Sequence, residues 1–187
     1  MITIGTVKTL KHVYGIDILL QALSILYQKL KLEHVDVCDQ LQFRIVGGGP
    51  DLESLKALAV ELKIDHVTIF VGAVAHDDVP NELSKLDIYV ALSRQESFGV
   101  AVIEAQAMGR PLITTRLTSL PEVAGSGAHY VDDPLDVEEL RLAINKIIVE
   151  EVYRNNLIDE GYKNVSRFTW PVMRETYYHV YKNILST

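Results

Sequence analysis

DIYVALSRQESFGVAVIEAQAMGRPLITT, residues Asp87–Thr115, decides how this chain is built. It opens on Asp87-Ile-Tyr-Val-Ala-Leu92 and closes on Pro111-Leu-Ile-Thr-Thr115, both apolar and rich in β-branched or aromatic residues, hence strands. Between them Val100 to Met108 reads as a short apolar helix. Strand, helix and strand in about thirty residues make a βαβ unit, whose two strands must run parallel. The strand-to-helix loop carries Glu96 and a turn glycine, Gly99, and Glu104 follows inside the helix. A helix N-terminus presents unpaired N–H groups and roughly half a positive charge, a combination that attracts phosphate. Carboxylates beside it accept hydrogen bonds from sugar hydroxyls.

The same alternation extends in both directions. Ile2 to Val7 is a strand, and Ile16 to Leu30 an amphipathic helix with Ile16, Leu19, Leu23, Leu26 and Leu30 on one face. Phe43 to Val46 is a second strand, closed by Gly47-Gly-Gly-Pro50, and Asp51 to Leu62 the next helix. Val67 to Val71 is a strand, Val79 to Leu86 a short helix, and Ala128 to Val131 a sixth strand. Past Asp132-Asp-Pro134 the chain turns helical, over Val137 to Val149, Val152 to Val165, and a closing segment from Phe168 to Leu185. Thr169 can cap that last helix and Pro171 suits its first turn. Its Tyr177, Tyr178 and Tyr181 read as a packing surface. The expected fold class is α/β: one doubly wound, Rossmann-like parallel sheet of about six strands with C-terminal helices. In such a sheet ligands bind outside the carboxyl ends of the strands, where Lys8, Gly48, Val74, Glu96 and the Thr114 to Glu122 segment all fall.

Composition narrows the function classes. The chain has 187 residues, a net charge of -7 and no uninterrupted apolar run of membrane-spanning length, which disfavours a nucleic-acid partner and a transmembrane helix. The start, Met-Ile-Thr-Ile-Gly, lacks the basic and apolar regions of a signal peptide, so a cytoplasmic location is expected. The lone Cys38 excludes an internal disulfide and reads as a small hydrophobe. Six histidines show no metal-ligand spacing, and no metal or other cofactor is expected. His12 is the one placed to donate to a phosphate. The basic residues Lys8, Lys11 and His12 suffice for a small phosphorylated ligand and not for a duplex.

Gly47-Gly-Gly-Pro50 lies where a dinucleotide fingerprint would, but Leu52 occupies the third glycine position, which disfavours NAD. The turn serves either a backbone needing positive φ or a close approach to a ligand. No Walker A pattern is present. Glu104 sits among Val100, Val102, Ile103, Ala105 and Ala107, where a carboxylate is costly unless a ligand hydroxyl partners it. Glu96 and Glu104 are therefore expected to border one cavity.

Glu96 to Glu104, with Ser97-Phe98-Gly99 between and Ala105-Gln-Ala-Met-Gly-Arg-Pro111 after, resembles the paired-glutamate motif of retaining glycosyltransferases of the GT-B architecture. The family is glycosyltransferase family four, also called glycosyl transferases group 1. Gly47-Gly-Gly-Pro50, Val71-Gly-Ala-Val74, Leu120-Pro-Glu-Val123 and Phe168-Thr-Trp170 resemble further motifs of that family, in the same order. The resemblance implies that Glu96 holds the donor sugar's hydroxyls and Glu104 the ribose hydroxyls. It implies that Phe98, Gly99 and Val100 contact sugar and diphosphate, and that Ala73 and Val74 receive the base. Gly5, Thr6, Gly48 and Ser93 complete the donor site.

Two departures accompany it. Lys8 takes the place of the family's arginine and Lys11 supplies the second charge, while Tyr14 stands where a lysine is usual. Thr118-Ser119 replaces a Gly-Gly pair. The family pairs two Rossmann-like domains across a cleft, so the chain is expected to be the C-terminal, donor-binding half over residues 1–187, with 168–185 closing against an N-terminal acceptor domain. The expected ligand is a nucleoside-diphosphate sugar, transferred with retention and without metal to a saccharide or lipid-linked acceptor. Peripheral contact with the inner face of a membrane would come through the parent protein. The alternatives are a nucleotide-sugar epimerase or phosphorylase, and a non-catalytic nucleotide-binding or scaffolding module of the same fold.

Overall fold

The structure, a computed structural model, describes residues 1–33 and 40–185; Cys38 lies outside them. Its strands are β1 (Ile2–Val7), β2 (Leu41–Val46), β3 (Thr68–Gly72), β4 (Ile88–Ala91), β5 (Leu112–Thr115) and β6 (Ala128–Val131). Its helices are α1 (Ile16–Glu33), α2 (Leu52–Glu61), α3 (Val79–Ser84), α4 (Val100–Ala107), α5 (Leu120–Ala124), α6 (Val137–Val149), α7 (Glu151–Val165) and α8 (Trp170–Leu185). The six strands form one sheet in the order β3-β2-β1-β4-β5-β6, every pair parallel. The chain starts in the middle of that sheet and winds outward twice, so its order reverses between β1 and β4. At such a reversal adjacent crossovers leave on opposite faces and open a crevice at the strands' carboxyl ends.

Alternation along each strand supplies two cores. Ile4, Phe43, Ile45, Ile88, Val90 and Ile113 face α1, α2 and α6. Val46, Tyr89 and Leu112 face Val102 and Ala105 of α4 and Leu120 and Val123 of α5. Both faces are covered, which is why β4 and β5 are buried at every position and read as continuous apolar runs. Five-residue α5 escapes sequence reading because one turn shows no periodicity; Pro121 sits in its first turn.

A buried polar network fastens the site-bearing α4 to the helices behind it. The Gln106 side chain donates to the carbonyls of Ala124 and Gly127, 2.8 and 3.1 Å. Asn164 of α7 donates to Gln106 and to the Val123 carbonyl, both at 2.7 Å. Asp136 caps α6, accepting from the N–H groups of Glu138 and Glu139 at 2.9 Å.

α8 stands apart. It has no buried residue, and Trp170 and Tyr177 are 81% and 57% exposed. The expected tyrosine packing surface thus packs only on itself here, Tyr177 stacking on Tyr181 with ring centroids 6.5 Å apart. Among the described residues no helix is long and apolar enough to cross a membrane.

Candidate functional site

The crevice outside β1 and β4 opens into a cavity of about 800 Å³ whose lining includes Lys8, Gly48, Ala73, Val74, Val100 and Glu104. Each reaches it for a local reason. Beyond β1 the chain stays zipped to the glycine turn, the Lys8 N–H donating to the Val46 carbonyl and the Leu10 N–H to the Gly48 carbonyl, both 2.9 Å. Gly47 has φ 141°, and a Cβ there would lie 1.9 Å from the Lys8 carbonyl oxygen. Of the two readings of this turn, Gly47 fits the backbone that needs positive φ, packed against the chain's own Lys8 carbonyl, while Gly48 lines the cavity.

Gly99, at φ 99°, turns the chain into α4. The first turn of α4 carries no acidic side chain and no side-chain cap, so the positive end of the helix, beside Val100 and Ala101 in the cavity wall, is not offset by a carboxylate of that turn.

Lys8 and Glu96 form an ion pair. Their side chains are 18% and 13% exposed, enclosed enough for the pair to exceed the small worth of an exposed one. Three further groups hold it. Ser93 Oγ donates to Glu96 Oε2 at 3.3 Å, Lys8 Nζ lies 4.4 Å above the Tyr14 ring centroid, and Ser119 Oγ reaches the carbonyls of Glu96 and Phe98 at 3.2 and 3.0 Å. Ser119 has one proton for those two acceptors and shares it. Glu104 borders the cavity directly, whereas Glu96 meets it through Lys8. Behind them Tyr89 Oη donates to the Val7 carbonyl, and its phenol is pushed well up, by burial and then by the nearby charges of Glu104 and Glu96.

Not every expected residue is brought here. Lys11 is exposed and lies with His12 on a separate shallow groove beside Asp17 and Asp51; His12 Nδ1 is 3.8 Å from Asp17 Oδ2. A second cation for the cavity therefore does not come from Lys11 in this arrangement, because the chain turns away after Thr9. Gly5 and Thr6 are buried within β1, where a Cβ at Gly5 would meet the Arg44 carbonyl oxygen at 1.9 Å; both support the sheet. Phe98 turns its ring edge-on to Phe168, 5.9 Å between centroids. Sequence reading missed Ser119, Tyr14, Arg94 and His76 as contributors; His76 lines the apolar end of the cavity with Ala73, Val74 and Val79.

Residues 2–164 match the family described as glycosyl transferases group 1. The chain belongs to that family. Among curated relatives of this group 1 domain, the D-inositol 3-phosphate glycosyltransferase of Corynebacterium jeikeium is 28% identical over 189 residues, covering 97% of this chain and 43% of the relative. The chain thus spans less than half of that relative's length. Its six-stranded fold is shared with solved GT-B glycosyltransferases. The C-terminal domain of a group 1 protein (LpcC) from Francisella tularensis superposes with a TM-score of 0.74 at 23% identity, over 88% of this chain and 84% of that one. Anabaena HepE, solved in complex with UDP and glucose, gives 0.80 at 19% identity, over 97% of this chain and 48% of that one.

Proposed function

We propose that this domain binds the donor of a retaining, metal-independent glycosyltransferase, which moves a sugar from a nucleoside diphosphate to a saccharide or lipid-linked acceptor. The observation that carries the reading is the convergence on one cavity of a single enclosed ammonium, a helix N-terminus and the Glu104 carboxylate, with Glu96 paired to the ammonium. Each has a matching part in such a donor. The diphosphate meets Lys8 and the N-terminus of α4, the hydroxyls of ribose and sugar meet Glu104 and Glu96, and the base takes the apolar end near Ala73 and Val74. The leaving diphosphate gathers negative charge as the glycosidic bond breaks, and Lys8 with the helix dipole stabilises that charge. The UDP and glucose complex of HepE supports a nucleoside-diphosphate sugar. Acceptor recognition belongs to an N-terminal domain, against which α8 with its exposed aromatics closes, so this chain alone binds donor and transfers little. The setting is cytoplasmic, with membrane contact peripheral and made by the whole protein.

Calorimetric titration of the chain with UDP, GDP and ADP tests this. One of them binds, and Glu104→Ala weakens it by about 1–3 kcal/mol, the cost of losing a charged hydrogen bond. Equal affinity of the variant removes Glu104 from the site, and silence of all three at millimolar concentration removes the donor reading of this domain.

A further inference from the structure

Lysine is a flexible way to present a charge, since its four-carbon stem has many rotamers and no fork to fix it. Lys8 is the one lysine or arginine lining the cavity among the described residues, so its direction governs whatever anion binds. Glu96 holds the ammonium from one side and the Tyr14 ring from the other. Tyr14 ends a 3-10 turn, His12–Tyr14, that has no side-chain cap of its own. What secures that turn is a residue from the other side of the crevice.

Arg94 stands two positions before Glu96, yet its side-chain contacts go to the connection between β1 and α1. Its backbone N–H donates to the Val13 carbonyl at 2.8 Å, and its guanidinium donates to the His12 carbonyl and lies 3.7 Å from Asp17 Oδ2. The side chain is 19% exposed, and its Nε has no hydrogen-bond partner among the described residues. Enclosing a guanidinium while leaving one donor unmet is costly. A loop brace alone would be served by an apolar side chain. The fork suits the task of gripping the His12 carbonyl and the Asp17 carboxylate together.

We propose that Arg94 is the positioning residue of the anion-facing lysine: it fastens the His12–Tyr14 turn to the Glu96 loop and so keeps the Tyr14 ring beneath Lys8. Arg94 and Tyr14 act through Lys8 and touch no ligand themselves. This rests on the donor-site reading only for what Lys8 serves; the geometry stands without it.

The experiment uses the full chain with its lysines reductively 13C-methylated, which preserves their charge, and assigns the Lys8 methyl resonance with Lys8→Arg. A methylammonium over a ring is shifted upfield. The shift is present in the unaltered chain, persists in Tyr14→Phe, and is lost in Tyr14→Leu and in Arg94→Ala. Arg94→Lys restores it in part, keeping charge toward Asp17 without the fork. UDP is the probe for the anion site, and Arg94→Ala and Tyr14→Leu each weaken it about tenfold, within the range of a lost, partly desolvated cation–π contact. Circular dichroism confirms the fold of each variant, and Arg94→Lys, which loses the fork and keeps the charge, carries the test if Arg94→Ala unfolds. An unmoved Lys8 resonance in both variants overturns the proposal, as does weakened UDP binding with that resonance unchanged. If the resonance moves as expected but the unaltered chain binds no UDP, GDP or ADP, the positioning role holds and the donor reading falls.

Discussion

Thr118 has φ 54°, a left-handed backbone that a β-branched residue adopts at a cost of about 1–2 kcal/mol. The strain sits one residue before Ser119, whose hydroxyl holds the Glu96 and Phe98 carbonyls, so it is strain at the edge of the site. Glycine would adopt the same backbone freely but would add freedom to the unfolded chain worth about 0.4–1 kcal/mol. Thr118→Gly is therefore expected to raise stability by roughly 0.5–1 kcal/mol, read as a shifted urea midpoint with unchanged slope. A lower midpoint would mean that the Thr118 hydroxyl bond to the Leu117 carbonyl outweighs the strain. At this scale the sequence was only partly legible. Glu96 and Glu104 stood out because carboxylates are rare in apolar surroundings. Ser119 and Tyr14 gave no such signal, since their roles come from what lies across the crevice, and Lys11 misled because nearness in sequence to Lys8 is not nearness in space.

Elements were easier to read than contacts. Alternation with period two or 3.6 is written locally, so β1, β6 and α6 fall on their expected residues. The seam joining α4, α5 and α7 was invisible, because Gln106 and Asn164 are 58 residues apart. Gln106→Ala leaves the Ala124 and Gly127 carbonyls unpaired in the interior and is expected to cost about 1–3 kcal/mol. Asn164→Ala should cost a similar amount, and a double-mutant cycle should show coupling of at least about 0.5 kcal/mol by chemical denaturation. Additive effects would show that the two side chains act separately.

A second seam joins β6 to α7, where His129 Nδ1 meets Tyr153 Oη at 2.7 Å. Burial, and then the Lys146 charge, hold His129 below its ordinary value of 6.5. The unfolded chain takes up that proton more readily than the folded one, so between the two values stability rises with pH. On acidification from about pH 7.5 to about pH 5, stability contributed by neutral His129 is lost. The urea midpoint of His129→Gln should fall less over that range than that of the unaltered chain.

At the scale of the whole molecule, α8 buries nothing of its own, and removal of residues 170–185 should leave cooperative unfolding with a midpoint within about 4 °C of the full chain, a change below about 1 kcal/mol. A larger loss would place part of the core in α8. Phe168 belongs to the retained part, since its ring meets Phe98. The sheet order has a consequence in time. Lys8 and Glu96 are 88 residues apart in the chain and meet only after β4 has docked beside β1. A ribosome adding roughly 5–20 residues per second needs on the order of 4–18 s to make that stretch. Until then the emerging chain displays a lysine without its carboxylate and half a crevice. On the proposed donor reading, affinity for an anion therefore cannot precede the docking of β4 beside β1, and ligand capture by a growing chain would report that event.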